Sequence, residues 1–177
     1  MFPFNQTFLE AADVQPAFIN ADANNDISGA WVNLKNYDRA YALLTKPAGT
    51  AGDNPKLLFE QAKDTAGTGA KALNVSKVWS KVGADITQVG QWTANQLAPP
   101  SNVVNTASIN GASLAADTNQ AALLVEVVAA ALDVNNGFTC VRVKSDGTAI
   151  ANALIVTGLY ILTGGSYPRA IPNSPLL

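Results

Sequence analysis

Asp22, Asn24, Asp26 and Ser28 place side-chain oxygens at alternate positions, the spacing with which an EF-hand loop opens around calcium. The sixth position of such a loop needs glycine and the twelfth a bidentate carboxylate, but Ile27 and Asn33 stand there. The stretch therefore reads as a loop of Asx turns. Gly67-Thr68-Gly69-Ala70-Lys71-Ala72 fits the G-x-G-x-x-[GA] pattern that seats a pyrophosphate on a helix N-terminus. No repeated strand-helix-strand alternation surrounds it and the Gly-Lys-Ser/Thr order is missing, so a hairpin turn is expected. Glu126 interrupts the apolar run from Ala121 to Val128. A carboxylate there must face solvent or pair with a cation, for which Arg142 is a candidate, and no second carboxylate beside it suggests a glycosidase pair.

The chain has 177 residues and no histidine, which excludes imidazole bases, Ser-His-Asp triads and histidine metal sites. Cys140, the single cysteine, can close no internal disulfide and reads as a small buried residue in a strand. No catalytic, cofactor-binding or metal-ligating residue is singled out, and no cofactor is expected. Trp31, Trp79 and Trp92 read mostly as core anchors, with an exposed sugar-binding platform as the alternative.

Charged residues make up only 14% of the chain, 11 basic against 13 acidic, for a net charge of -2. About 25% is usual, so much of this surface must be amide, hydroxyl and small apolar groups, which suit lasting protein contacts. The scattered cations form no basic stripe for nucleic acid, and no apolar run approaches the ~20 residues of a membrane span. The start, Met1 to Asn5, lacks the basic and apolar regions of a secretory signal, so cytoplasmic synthesis of a soluble protein is expected.

Short β-type segments alternate with turn clusters, the pattern of an all-β sandwich or barrel, with about eight strands. Residues 12–166 form the expected single domain. Its strands begin with Ala30–Leu34, Arg39–Thr45 and Leu57–Ala62, separated by Asn36-Tyr37-Asp38 and by the Pro47–Pro55 loop. Val75–Val82 fits a helical face or a strand, and a hairpin with Ile86, Val89 and Trp92 is favoured. From Ala98 to Gln120 a long ordered loop or edge strand is expected. Ala121–Val128 is a strand, Ala129–Asp133 a helical turn, and Phe138–Lys144 alternates well. Ser145-Asp146-Gly147 is a hairpin-type turn, followed by one long strand to Thr163 or two strands bent at Gly158. The first eleven residues show no sustained strand or helix pattern, and the Asp13–Asp26 stretch that follows is rich in Asp, Asn and Ala.

The ends read as extended arms, residues 1–11 and 167–177. Phe2, Phe4 and Phe8 are costly in water and must dock either in this protein's own core or on a neighbour's surface. Tyr167, Pro168, Ile171, Leu176 and Leu177 belong to a tail with three prolines, which can reach roughly 35 Å at about 3.3 Å per residue. These eight residues are the expected partner-binding set.

Taken in order, three pieces resemble the capsid cement (decoration) proteins of tailed phages. They are Trp31–Arg39 leading to Ala42-Leu43-Leu44, Leu57–Lys71, and Glu126–Phe138 continuing to Val141-Arg142-Val143. The insert from Pro99 to Gln120 stands outside that pattern. The resemblance implies a jelly-roll-like β-sandwich on the outer surface of the virion capsid, a homotrimer across capsomer junctions. Its partners would be the major capsid protein and sister subunits. Such a protein performs no catalysis; it adds buried area at seams under pressure from packaged DNA. A head-tail joining or other minor virion protein, and a receptor- or carbohydrate-binding module, are the alternatives.

Overall fold

The computed structural model describes residues 8–165, except 91, 107, 110, 111, 114, 115, 148, 149 and 151. In chain order these form a four-residue helix, α1 (Phe8–Ala11), and strands β1 (Ala12–Asp22), β2 (Ile27–Ser28), β3 (Val32–Asn33), β4 (Arg39–Lys46) and β5 (Lys56–Ala62). There follow β6 (Lys71–Ala72), β7 (Val75–Gly83), β8 (Thr93–Ser101), β9 (Val103–Asn105), β10 (Ser108–Ile109) and β11 (Ala112–Ser113). The last are β12 (Gln120–Val128), β13 (Cys140–Asp146) and β14 (Ile155–Thr163), with single 3-10 turns at Ala129–Ala131 and Val134–Asn136. Eight of these strands, β1, β4, β5, β7, β8, β12, β13 and β14, have seven residues or more, matching the expected number.

The strands make an all-β sandwich of two antiparallel sheets. One sheet has the order β1-β14-β4-β12-β7-β8; the other runs β2-β13-β5-β6, with β3 also on β13 and β9 also on β5. First strand beside last, then β4, then β12, faced by β2/β3, β13 and β5, is the jelly-roll arrangement, in which the chain repeatedly crosses between layers. The β7–β8 hairpin is an addition that widens the first sheet beyond β12.

Alternation explains the core. Ala40, Ala42 and Leu44 of β4, Leu123, Val125 and Val127 of β12, and Val156, Tyr160 and Leu162 of β14 point inward and are buried. They meet Leu57 and Phe59 of β5 and Val141 and Val143 of β13, all in one continuous apolar cluster. Tyr160 crosses the layers: its hydroxyl accepts the Val143 N–H at 2.8 Å and donates to the Ala30 carbonyl at 3.0 Å. Burial pushes its phenol well above the usual range. Cys140 is fully buried, as expected, and burial raises its thiol as well.

Lys46 is another buried polar anchor, 4% exposed at the end of β4. Its ammonium donates to the carbonyls of Pro47, Ala116 and Asn119, joining the 47–55 loop to the segment before β12. Burial lowers its pKa, and the fields of Asp117 and Asp53 work in the opposite direction.

Several expectations are corrected. Asp13–Asp22, assigned to no strand by its composition, lies within β1, paired to β14 with register shifts on both sides of Phe18. Those shifts and Pro16 break the period-two pattern that would have revealed the strand. The described end of the first arm, residues 8–11, is a helical turn and not extended. Ser145-Asp146-Gly147 makes no hairpin, because β13 and β14 lie in different sheets. Gly147 is needed there for close approach: a Cβ would stand 2.7 Å from the Ala23 carbonyl oxygen. Gly158 marks no bend; β14 runs through it, and its missing side chain makes room for the Phe18 ring. β7 does form a hairpin, but with Thr93–Ser101, so Ile86, Val89 and Trp92 lie in the connection. Ala98–Pro100 belong to that edge strand.

Replacing Lys46 with methionine removes one donor from three carbonyls, and urea unfolding should show a loss of about 3 kcal/mol with an unchanged slope. Turn carboxylates set the pH response. Asp64 is held below the usual range by the Thr68 N–H, Asp117 by the Gly52 N–H and Asp133 by the Lys71 amine. A depressed folded pKa contributes stability that is present above the unfolded value near ~4 and is lost as pH falls through the folded values. With no histidine to titrate, thermal melts should be level between about pH 5 and 7 and fall below about pH 4.

Candidate interaction face

Side chains that alternate outward from β4, β12 and β14 are also mostly apolar, so the first sheet has a second apolar face with no layer of described residues over it. Register places them in rows. Pro16, Leu159, Leu43, Leu124, Trp79 and Ala94 lie opposite one another across all six strands. One step along the strands a second row holds Val14, Ile161, Tyr41 and Glu126. Leu43, Leu124, Leu159, Ile161, Tyr41 and Trp79 are each half-buried, and Val14 is exposed. The rings of Tyr41 and Trp79 are 6.5 Å apart and tilted by 57°. Exposed Trp92 adjoins the row just before β8.

Glu126 is set into this face with its side chain 4% exposed. Its Oε1 accepts from Arg39 at 2.5 Å and from the Tyr41 hydroxyl at 3.5 Å, and Lys77 Nζ lies 3.4 Å from Oε2. The expected partner Arg142 is elsewhere: it stands opposite Glu60 on the other sheet and donates to it at 2.6 Å. Two sheets separate residues that the linear sequence had paired by charge alone.

The outer face of the second sheet is different in kind. Arg142 and Lys144 flank Glu60, the latter with its Nζ 3.6 Å from Oε1, and Lys56 stands opposite Asp146. Leu58 and Val103 are apolar members there, with Ala72 opposite Glu60. Trp31 lies under Arg142, whose guanidinium carbon is 4.5 Å from the ring centre. Trp31, Trp79 and Trp92 are therefore surface or half-buried side chains, and the expectation of core anchors fails for all three. The space between the sheets is filled by other side chains, among them Phe59, Leu123 and Tyr160.

Edge pairing is guarded. β1 carries Pro16 and its two register shifts, β8 carries Pro99 and Pro100, and β2 and β6 have two residues each. Prolines and irregular or short edges withhold the regular N–H and C=O ladder that an added strand needs, so contact through a face is favoured over strand addition.

The other motifs take their plain readings. Asp22 Oδ1 accepts the N–H groups of Asn24 and Leu154 at 3.1 and 3.0 Å, and Asp26 Oδ1 that of Gly147 at 3.1 Å. Gly67 and Gly69 have positive φ in the turn from β5 to β6, where Asp64 Oδ1 accepts two N–H groups at 3.0 Å. Among the described residues no three His, Cys, Asp or Glu side chains are grouped to hold a metal ion, and no helix is long and apolar enough to cross a membrane. Of the expected partner-binding residues, Phe8 is 51% exposed on α1. Phe2, Phe4, Tyr167, Pro168, Ile171, Leu176 and Leu177 lie outside the described residues. The outward placing of Leu43, Leu124, Leu159 and Ile161 was not expected from the sequence. Their signal was the unbroken apolar run, which marks a strand apolar on both faces.

Fold and face together define an all-β jelly-roll sandwich with one apolar and one charged outer surface. No family model matches the chain, and no curated protein matches it. The crystal structure of SPBc2 prophage-derived protein YomS is similar, with 12% identity and a TM-score of 0.39 over 86% of this chain and 95% of that one. A likeness of that size carries no argument about function.

Glu126→Gln removes the charge between two cations that can return to water, so the expected cost is about 1 kcal/mol, read as a lower thermal midpoint. Unchanged stability would show that the cluster is ornamental to the fold.

Proposed function

We propose that this chain is a capsid cement protein of a tailed phage, bound to the outside of the head and acting by adhesion without catalysis. The observation that carries the reading is the outward apolar row Pro16–Leu159–Leu43–Leu124–Trp79–Ala94, set against a charged outer face on the opposite sheet. A sandwich that works alone in water has reason to make both outer faces polar. The low charge of the chain and the likeness of residues 30 to 145 to cement proteins support the same reading.

Size agrees with a face that works together with other contacts. Five strand spacings of ~4.8 Å and eight residues of ~3.4 Å give on the order of 650 Å². A standard interface takes ~800 Å² from each partner, and a terminal arm such as Tyr167–Leu177 can supply the remainder. The major capsid protein and sister subunits of a homotrimer are the proposed partners, with Trp79 and Tyr41 as aromatic anchors. Linked copies then multiply weak contacts through effective concentration.

Trp92 and Trp79 beside Tyr41 favour a second reading, a carbohydrate-binding face, which glycan binding by the isolated protein would support.

Co-sedimentation with empty capsids tests the first. Leu43→Arg should weaken attachment at least tenfold while the thermal midpoint shows the sandwich still folded, and Lys144→Ala on the opposite sheet should leave attachment intact. Equal binding by wild type and Leu43→Arg refutes the assignment of the face. Hundreds of copies per virion are expected; about a dozen would point to a head-tail joining protein instead.

A further inference from the structure

On the outward side of β4, β12 and β7 the charged residues are Arg39, Lys77 and Lys81 against one carboxylate, Glu126. Lys81 is settled within the chain: it is 8% exposed and its ammonium donates to the Gln88 carbonyl. Arg39 and Lys77 are not settled in this way. They share the Glu126 carboxylate at 2.5 and 3.4 Å, with their side chains 48% and 55% exposed and that of Glu126 only 4%. Two cations divide one anion, and water supplies the rest of their solvation.

Where β7 begins and β12 ends, a depression of about 100 Å³ opens beside this cluster, lined in part by Asn74, Ser76, Lys77, Glu126, Val128 and Ala131. One water needs ~10–15 Å³ of such space, so the depression takes a larger polar group such as a carboxylate. Val128, exposed on the outward side of β12, joins it to the apolar rows.

We infer that the protein surface docked on this face presents a carboxylate side chain beside its apolar strip, and that this carboxylate enters the depression and pairs with Lys77 and Arg39. The inference rests on the face being a docking surface, as proposed above, and supplies the chemistry of its partner. Covering the face with a neutral surface would strip water from two cations that share one anion and leave a unit of charge unpaired. A partner carboxylate instead balances two bases with two acids. A second copy docked face to face brings the same surplus of cations, which repels the first and argues against self-association through this side. An apolar strip alone can slide along its partner, and one ion pair at its end fixes the register.

Co-sedimentation with empty capsids tests it, with thermal midpoints confirming that each variant is folded. Lys77→Met keeps the Arg39–Glu126 pair and makes the cluster neutral. It should weaken attachment at least fivefold and flatten the dependence on salt, whereas Lys77→Arg should keep both as in the wild type. A zero-length carbodiimide applied to the attached wild type should join the Lys77 amine to an Asp or Glu of the capsid protein, identified by mass spectrometry. Attachment unchanged or strengthened in Lys77→Met, with Leu43→Arg still detached, overturns the inference and leaves the face as a dock for an uncharged partner. Coupling of Lys77 to Glu126 of its own chain alone overturns it as well. Failure of the wild type to attach, or attachment indifferent to both Lys77→Met and Leu43→Arg, removes the docking face itself and the inference with it.

Discussion

A β-strand presents two faces and a two-layer sandwich buries only one of them. In this protein β4, β12 and β14 are apolar inward and also carry Tyr41, Leu43, Leu124, Leu159 and Ile161 outward. Their inward residues meet the second sheet, and Tyr160 joins the layers through hydrogen bonds to Val143 and Ala30. Among the described residues no layer covers their outward side chains. The low charge, the guarded edges and the uneven outer faces all bear on that one surplus of apolar surface.

Charge is used sparingly and at joints. Lys46 spends its ammonium on three carbonyls and so fastens two loops that no strand pairing connects. Glu126 holds Arg39 and Lys77 on the outward face, where its cations stay half in water. Arg142, Glu60 and Lys144 make the opposite face wet. The same few ions that stabilise local geometry thus also make the second sheet's outer face the costlier one to desolvate, because removing water from charges costs more than removing it from a row of leucines.

Strands with regular alternation or continuous apolar runs were legible in the sequence: Arg39–Lys46, Lys56–Ala62, Gln120–Val128 and Cys140–Asp146 stand where expected. β1 was not, since its bulges and Pro16 scramble the period, and its stability comes from β14, more than 130 residues away in the chain. The tryptophans were misplaced for a related reason: size and hydropathy favour burial in general, but the space between these sheets is filled by Val, Leu, Phe59 and Tyr160. Of the outward row, the run of apolar residues was visible in the sequence but which of them face outward was not.

By itself the sequence determined the class: one isolated thiol, few charges, and short β-type segments separated by strong turns belong to a β-rich protein. These are local or additive properties, and every copy of the chain carries them whatever its fold. Only the tertiary structure decided that Glu126 meets Arg39 and Lys77 instead of Arg142, and that Leu43, Leu124 and Trp79 line up in one row. Both depend on which strands lie side by side and in what register. That choice is made by packing the whole core at once, and a one-residue slip would turn each of these side chains to the other face.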